Sequence, residues 1–370
     1  PFYGFDHVDL CTGHGDRVGG EYLRWLSSKH PSSDSLRGPD NAIEDKTIVT
    51  PQSWRTRVPE EFYPTRYIAD RTCEHIARLA ANADGAPFFV QCSFPDPHHP
   101  FTPPGRYWDM YDPASIAVPK SFGLGESPML GHMREELAVG NAKRQSTLPY
   151  AVTAREAQEA IALTYGMITM IDDAVGQVIK ALDGAGLADN TILVFVSDHG
   201  DFMGDHGIML KGPLHYRGLI RVPFIWFDPT TDKSSVIASL AQSIDIPATF
   251  LERSGIRPYF GMQGTGLMST IYGSEPDERE ELLIEDDREL IYLGFDCPQR
   301  VRTVVTADAR MTVYEPAPWG ELYDLLTDPL EINNLWNDPA HRLLQEDMTR
   351  RLLELVIRFQ DWAPIPTGRA

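Results

Sequence analysis

The chain has few cysteines, a shortage of basic residues and no long apolar run, and each shortage excludes a class of protein. Its 370 residues carry 33 Lys and Arg against 53 Asp and Glu, a formal net charge of −20. Such an acidic surface repels phosphates, so neither nucleic acid nor anionic lipid is expected as a partner. No apolar run reaches the roughly 18 residues of a transmembrane helix, so no membrane span is predicted. An anionic substrate would need a locally positive pocket.

The four cysteines are Cys11, Cys73, Cys92 and Cys297, and no two of them form a CxxC pair. This spacing indicates isolated thiols rather than a disulfide framework or a zinc site, which favours a reducing compartment. The chain begins at Pro1 without a methionine or a targeting pattern. A cytoplasmic and a periplasmic location therefore both remain open.

Three apolar runs predict buried strands at residues 87–94, 191–196 and 222–227. Their hydrophobicity is continuous rather than alternating, which is typical of strands covered on both faces in parallel sheets. Between the first two runs, apolar residues recur at three- and four-residue steps from about Thr153 to Leu182, which predicts a long amphipathic helix. The order strand, helix, strand predicts an α/β fold with a mixed, mostly parallel sheet flanked by helices. Residues 73–81 and 239–254 are further helix candidates.

The pattern changes after about Tyr272, where we interpret residues 273–277 as a linker. An amphipathic helix is predicted from about Ala340 to Phe359, after four short β-like segments at residues 281–284, 301–306, 311–314 and 321–325. We therefore expect an α/β domain over residues 1–272 and a small C-terminal subdomain, residues 273–370, of antiparallel sheet plus helix. Residues 113–149 lack strong periodicity and are either a lid or an irregular surface insertion.

Two of the predicted strands end in loops dense with reactive side chains. The loop after the first contains Asp96, His98 and His99, and the loop after the second contains Asp198, His199, Asp201, Asp205, His206 and Lys211. In open α/β sheets, ligands bind at the carboxyl ends of the strands. Asp and His suit a divalent cation, while Lys with His can neutralise an oxyanion or protonate a leaving group. This pattern is typical of the hydrolysis of an anionic ester.

Taken singly, these residues have simpler interpretations. An Asp-His-Gly sequence after a strand is more often a turn, and a lone Lys211 is ordinarily a solvated surface residue. A zinc site from His199 and His206 lacks the HExxH helix that usually frames one. The spacing of a calcium-binding EF-hand also fails, because Gly200 stands where the third position needs Asp or Asn. The functional interpretation depends on the combination.

In combination, five blocks in the same order resemble the sulfatase family of the alkaline phosphatase superfamily. The blocks are PHHPF at 97–101, YGMITMIDDAVG at 165–176, SDHGD at 197–201 with GDHG at 204–207 and Lys211, IDIPAT at 244–249, and ELYDL at 321–325 followed by Asp328-Pro329 and Asn334-Leu335. They cover most of the chain. Their co-occurrence in family order makes the resemblance specific.

The resemblance implies a role for each candidate residue. Asp198 and His199 would be metal ligands, for calcium or alternatively for manganese. Lys211 and His98 would contact the ester oxygens, with His98 a candidate to assist the leaving group. His206 and His215 would line the substrate pocket. The implied substrate is a sulfate ester of a small molecule or a saccharide, and the oligomeric state is left open.

The family's amino-terminal block, which carries the formylglycine nucleophile and two further metal-binding aspartates, has no counterpart here. We therefore expect that the chain lacks an amino-terminal segment and is inactive alone. Cys297-Pro-Gln-Arg300 echoes the nucleophile motif one residue short, and we interpret it as coincidence. The expected function is metal-dependent hydrolysis of sulfuric esters. The alternatives are a phosphonate or phosphate ester hydrolase and a non-catalytic anion-binding protein.

Overall fold

A computed structural model describes residues 2–81, 85–231, 234–273, 279–291 and 293–360. Its helices, in chain order, are α1 Glu21–Lys29, α2 Pro64–Ala81, α3 Pro128–Ala138, α4 Ala154–Gly184, α5 Arg217–Ile220, α6 Asp245–Arg253, α7 Met268–Tyr272 and α8 Arg342–Arg358. Its strands are β1 Tyr150–Ala151, β2 Leu193–Val196, β3 Ile208–Met209, β4 Phe224–Phe227, β5 Glu281–Asp287, β6 Arg300–Thr306, β7 Ala309–Glu315 and β8 Gly320–Asp324.

The long helix predicted before the second apolar run is confirmed as α4. Thr153 caps it, because the Thr153 hydroxyl accepts from the N–H of Glu156 at 3.3 Å while the Glu156 carboxylate accepts from the N–H of Thr153 at 2.8 Å. This reciprocal pair satisfies two backbone donors that a helix start otherwise leaves unpaired. Its buried face, which includes Ala160, Leu163 and Met167, packs in the largest hydrophobic cluster.

Two other helix candidates are confirmed with different limits. The candidate at residues 73–81 is the second half of α2, which begins nine residues earlier at Pro64. The candidate at residues 239–254 is helical only over α6, Asp245–Arg253. Residues 113–149 contain α3, whose N-terminus is capped by the Ser127 side chain.

The α/β class is confirmed, but strand pairing in the first part differs from the prediction. β2 and β4 pair antiparallel, with Leu193 opposite Phe227 and Val196 opposite Phe224. The connection between them contains the two-residue β3, the four-residue α5 and a single 3-10 turn at Asp205–Gly207, so the chain turns back at the same end of the strands. A parallel pair needs a longer crossover, usually a helix. Residues 87–94 form no strand ladder with any described residue.

The expectation that these strands are covered on both faces also needs correction. Phe195 is 43% exposed, Ile225 is 59% exposed and Phe227 is 51% exposed. An apolar run reports a preference for burial, but burial requires a packed neighbour on each face, and the described residues leave these side chains open to solvent.

The predicted C-terminal antiparallel sheet with a helix is confirmed. Strands β5, β6, β7 and β8 pair in chain order, every neighbour antiparallel. Helix α8 lies on one face, where Met348, Leu352 and Leu355 pack against Met311 and Leu322. Residues 274–277 of the predicted linker lie outside the described residues, and the boundary near residue 273 stays a prediction.

The C-terminal sheet also packs on the loops that follow β2. One hydrophobic cluster joins Tyr216 and Leu219 to Val301, Tyr314 and Tyr323. This contact positions the segment around α5, which in turn supports the candidate site. Within the described residues, no helix has both the length and the apolarity that crossing a membrane requires.

Candidate active site

His98 lies in the turn that follows residues 87–94, and two contacts orient it. Its N–H donates to the carbonyl of Pro95 at 3.2 Å, and its Nδ1 is in hydrogen-bond contact with the carbonyl of His99. Because a carbonyl oxygen only accepts, Nδ1 carries the proton and Nε2 carries the lone pair of the neutral ring. Burial, reinforced by the nearby charge of Lys211, lowers the pKa of His98 to about 4. The ring is therefore neutral at neutral pH.

Lys211 meets this lone pair from a loop held by Asp201. The buried carboxylate of Asp201 accepts the N–H of Met203 at 3.1 Å and the N–H of Leu210 at 3.0 Å, which ties both ends of the loop together. Lys211 follows directly, and its Nζ is in hydrogen-bond contact with Nε2 of His98. Burial lowers the pKa of Lys211, while the charges of Asp201 and Asp198 oppose that shift. The loop thus places the ammonium group of Lys211 against the neutral imidazole of His98.

Asp198 and His199 occupy the turn directly after β2. His199 Nδ1 donates to the carbonyl of Gly200 at 2.7 Å, which leaves the lone pair on Nε2. A Cβ on Gly200 would lie 2.0 Å from the carbonyl oxygen of Gly218, so only glycine lets this turn approach α5 so closely. The side chain of Asp198 is 84% exposed. The turn therefore presents a carboxylate and an imidazole nitrogen together at an open surface.

These two donors fit one divalent ion as part of its ligand set. His199 Nε2 lies 3.6 Å from Asp198 Oδ2. Two ligands that each lie about 2.4 Å from one ion can be at most about 4.8 Å apart, so the pair satisfies this limit. Within the described part of the chain, no cluster of three or more Asp, Glu, His or Cys side chains has the arrangement of a metal site. The described residues thus supply two donors at this place, fewer than the ligand number of a complete divalent-cation site.

Four of the six predicted site residues come together. His98 and Lys211 are in contact. The charge of Asp198 raises the pKa of Lys211, and the charge of His199 lowers the pKa of His98. They come from loops more than a hundred positions apart, since 113 residues separate His98 from Lys211. The arrangement combines a cation, a neutral imidazole and a pair of metal donors, which suits binding of an oxyanion.

The structure adds His14, which the sequence analysis did not single out. Its ring stacks on the ring of His98, with centroids 3.5 Å apart and an angle of 13° between the planes. Burial and the charge of Lys211 lower the pKa of His14. A single histidine between two glycines carries no spacing signal, so only the fold reveals its place beside His98.

His206 takes a different place from the one expected of a residue that contacts substrate beside Lys211. Its buried ring lies 4.0 Å, centroid to centroid, from that of Tyr216, and its Nδ1 donates to the carbonyl of Leu124 at 3.2 Å. It lines a separate cavity of about 310 Å³ together with Arg217 and Arg221. Its role in substrate binding stays a prediction.

His215 is not brought together with the other four residues. It is buried against the C-terminal sheet, with Nδ1 2.8 Å from the hydroxyl of Thr303 and Nε2 3.6 Å from Asp286. Its predicted place in the wall of the substrate pocket stays a prediction. The sequence places it four positions after Lys211, but the chain turns into the interior between them.

Comparison with known proteins gives one consistent family. The family model described as Sulfatase matches residues 16–256, and the model of the N-sulphoglucosamine sulphohydrolase C-terminal region matches residues 204–358. The chain is similar to an arylsulfatase of Clostridium perfringens, with 29% identity over 326 residues that cover 87% of this chain and 63% of that protein. It is also similar to the multifunctional alkaline phosphatase superfamily protein PehA of Trinickia caryophylli, with 27% identity, 83% of this chain and 62% of that protein. The chain spans about three fifths of the length of these curated relatives.

A solved structure shares the fold. The phosphonate monoester hydrolase of Agrobacterium radiobacter superposes with a TM-score of 0.73 at 24% identity, covering 92% of this chain and 69% of that one. At this identity the likeness concerns the architecture and carries no statement about substrate.

Proposed function

The chain belongs to the sulfatase family, and from this premise we propose that Lys211, held in place by His98, binds the ester oxygens in a metal-dependent hydrolysis of sulfuric esters. The observation that carries the proposal is the contact between Nζ of Lys211 and Nε2 of His98, beside Asp198 and His199. The substrate would be a sulfate ester of a small molecule or a saccharide.

The contact leaves Lys211 with donors to spare. An ammonium group has three N–H donors and no acceptor, and one of them is used by Nε2 of His98. The described residues give Nζ no second hydrogen bond, so the other two donors could contact the oxygens of a sulfate group. Hydrogen bonds from an ammonium to an anionic oxygen are charge-assisted, and such donors stabilise most where negative charge grows during reaction.

His98 takes part in this proposal as a neutral base rather than as an acid. With its pKa lowered to about 4, chiefly by burial, it has no proton to give at neutral pH beyond the one it donates to the His99 carbonyl. The excess proton of the pair is on Lys211. We therefore assign proton donation towards the leaving oxygen to Lys211, with His98 holding the ammonium in place.

Asp198 and His199 would hold a divalent ion, calcium first and manganese as the alternative, whose charge would help to neutralise the sulfate oxygens. The nucleophile that the resemblance implies is a formylglycine, and no described residue is assigned to that role. Chelation with EDTA followed by addition of either ion tests the metal: activity that survives chelation would contradict its role.

Replacement of Lys211 by Ala in the active enzyme tests the central assignment. Loss of one preorganised donor to a reacting oxyanion typically lowers kcat about 100- to 1,000-fold, and we expect that range for hydrolysis of an aryl sulfate. The exposed Lys29 at the end of α1, replaced by Ala, is the matched control and should leave kcat unchanged. Equal kcat for both variants and the unmodified enzyme would refute the assignment.

A second candidate activity is hydrolysis of phosphonate or phosphate esters, because a relative at 27% identity is a multifunctional protein of the alkaline phosphatase superfamily. The ratio of kcat/KM for an aryl sulfate to kcat/KM for an aryl phosphonate monoester distinguishes the two. A ratio above one supports the sulfatase proposal, and a ratio below one supports the alternative. Sulfate binding without turnover of either ester would instead indicate a non-catalytic anion-binding protein.

A further inference from the structure

The ring of His98 is enclosed by two other imidazoles. His14 stacks on it at 3.5 Å and 13°, and His99 stacks on it at 4.0 Å and 26°. Two rings cannot share one face of an imidazole at these distances, so His14 and His99 lie on opposite faces. His99 is fixed to His98 by the peptide bond between them. The opposite face of His98 has no such covalent restraint, and His14 covers it.

The backbone around His14 is pressed against the loop that carries His98. Gly15 has a φ of +56°, and a Cβ there would lie 2.8 Å from the Thr102 hydroxyl and 2.9 Å from Cγ of Pro100. Only glycine therefore allows this approach. The N–H of Asp16 donates to the same Thr102 hydroxyl at 3.2 Å, so the two segments are also joined by a hydrogen bond.

Asp16 anchors the segment to the interior. It is fully buried, and its Oδ2 accepts from the N–H of Gly38 at 3.0 Å, from Nε1 of Trp54 at 2.9 Å and from the hydroxyl of Thr56 at 2.8 Å. Three donors from two segments of the chain converge on one carboxylate oxygen. The backbone two positions before it is thereby held in place, and His14 has a defined position although its ring is exposed.

We propose that His14 is a positioning residue for the reaction, which holds the ring of His98 in the orientation that brings Nε2 to Lys211. The expected effect on catalysis rests on the proposed function. The expected effect on the orientation of His98 rests on the stacking geometry alone. The restraint comes from the flat face of the imidazole and not from its nitrogens. An aromatic ring of similar width should therefore replace it, whereas a methyl group should not.

The kinetic test compares His14→Ala, His14→Phe and His75→Ala in the active enzyme with an aryl sulfate. His75 stacks on His7 at 5.2 Å and 9°, away from the candidate site, and is the matched control for loss of a stacked imidazole. Misplacement of a catalytic group commonly costs about tenfold or more in rate, so we expect His14→Ala to lower kcat about tenfold with KM changed less than twofold. His14→Phe should recover most of that loss, and His75→Ala should match the unmodified enzyme. Equal impairment in the Ala and Phe variants, or none in either, overturns the proposal.

A readout that needs no activity separates this inference from the proposed function. The Hε1 resonance of His98 lies under the ring current of His14, so His14→Ala should shift it while His14→Phe keeps it near a ring-shielded position and His75→Ala leaves it unchanged. An unmoved His98 resonance in His14→Ala overturns the positioning role. A shifted resonance in an enzyme that hydrolyses no sulfate ester upholds the role and refutes the proposed function instead. Circular dichroism of each variant confirms that it is folded.

Discussion

Two regions of this protein gather charged groups, histidines and aromatic rings, yet they differ in whether those groups are satisfied by the protein itself. Around Lys211, the site is only partly enclosed: Lys211 and His98 are half-buried, and Asp198 is 84% exposed. Around Arg310, which is 1% exposed, every charge meets a partner in the interior. Residue type alone does not separate the two regions. What separates them is the balance between donors and acceptors that the fold encloses.

The closed region is built on Arg310. Its Nε contacts Glu331, its Nη1 donates to the Thr312 hydroxyl at 2.7 Å, and both terminal nitrogens lie 3.4 Å from Glu321. The Tyr216 hydroxyl donates to the other oxygen of Glu321 at 2.9 Å. Burial alone lowers the pKa of Arg310, but the two glutamates outweigh it and raise the pKa overall. This network fastens the C-terminal sheet to the segment around α5.

The largest effect that the comparison predicts is on stability, from Arg310→Met. This change leaves two buried glutamates without their cation, and breaking a buried pair in this way typically costs about 3–5 kcal/mol of unfolding free energy. Arg350, which makes exposed helix pairs with Asp347 and Glu354, is the matched control, and Arg350→Met should leave the unfolding free energy close to that of the native protein. Urea unfolding of both variants measures the difference. Equal unfolding free energies of the two variants would show that Arg310 is not needed to neutralise the buried glutamates.

A smaller effect is expected from His215→Asn. Loss of a buried hydrogen bond should reduce the unfolding free energy by about 1–3 kcal/mol, while KM for a sulfate ester stays within about twofold. Burial lowers the pKa of His215 below its ordinary 6.5, so the unfolded chain takes up a proton that the folded one refuses as pH falls below 6.5. The native protein should therefore lose stability on acidification, and the variant should lose less. A large rise in KM would instead indicate that His215 lines the substrate pocket.

The smallest effect concerns the titration of His98. Its pKa of about 4, lowered first by burial and further by Lys211, places the acid limb of kcat/KM near pH 4 rather than near 6.5. Lys211→Met removes the nearby positive charge and should raise the pKa of His98, followed by NMR of its ring protons. Lys29→Met should leave the titration as it is. A pKa of His98 near 6.5 in the native protein would show that its ring is exposed and does not contact Lys211.

The same contrast explains how far the sequence alone leads. Long periodic segments were predicted well: the period of α4, its start near Thr153 and the four C-terminal strands all follow from local patterns. The antiparallel pairing of β2 with β4 was not predicted, because periodicity reports burial preference and says nothing about which neighbour a strand meets.

For the candidate site, residues on one loop were easier to predict than residues brought together by folding. Asp198 and His199 are adjacent in sequence, so their joint presentation was expected. His14 reaches His98 only because Gly15 permits a close approach and Asp16 is anchored in the interior. His215 shows the reverse case. It follows Lys211 by four positions in sequence, yet it is buried against the C-terminal sheet.

The most direct test of the open region is the binding of inorganic sulfate, measured by calorimetry on the native protein, Lys211→Ala and Lys29→Ala. One charge-assisted hydrogen bond contributes about 1.5–3 kcal/mol, so Lys211→Ala should bind sulfate roughly 10- to 100-fold more weakly. Lys29→Ala should bind it as the native protein does. Equal affinity in all three would contradict the account, because the cation beside His98 would then not be the group that receives the anion.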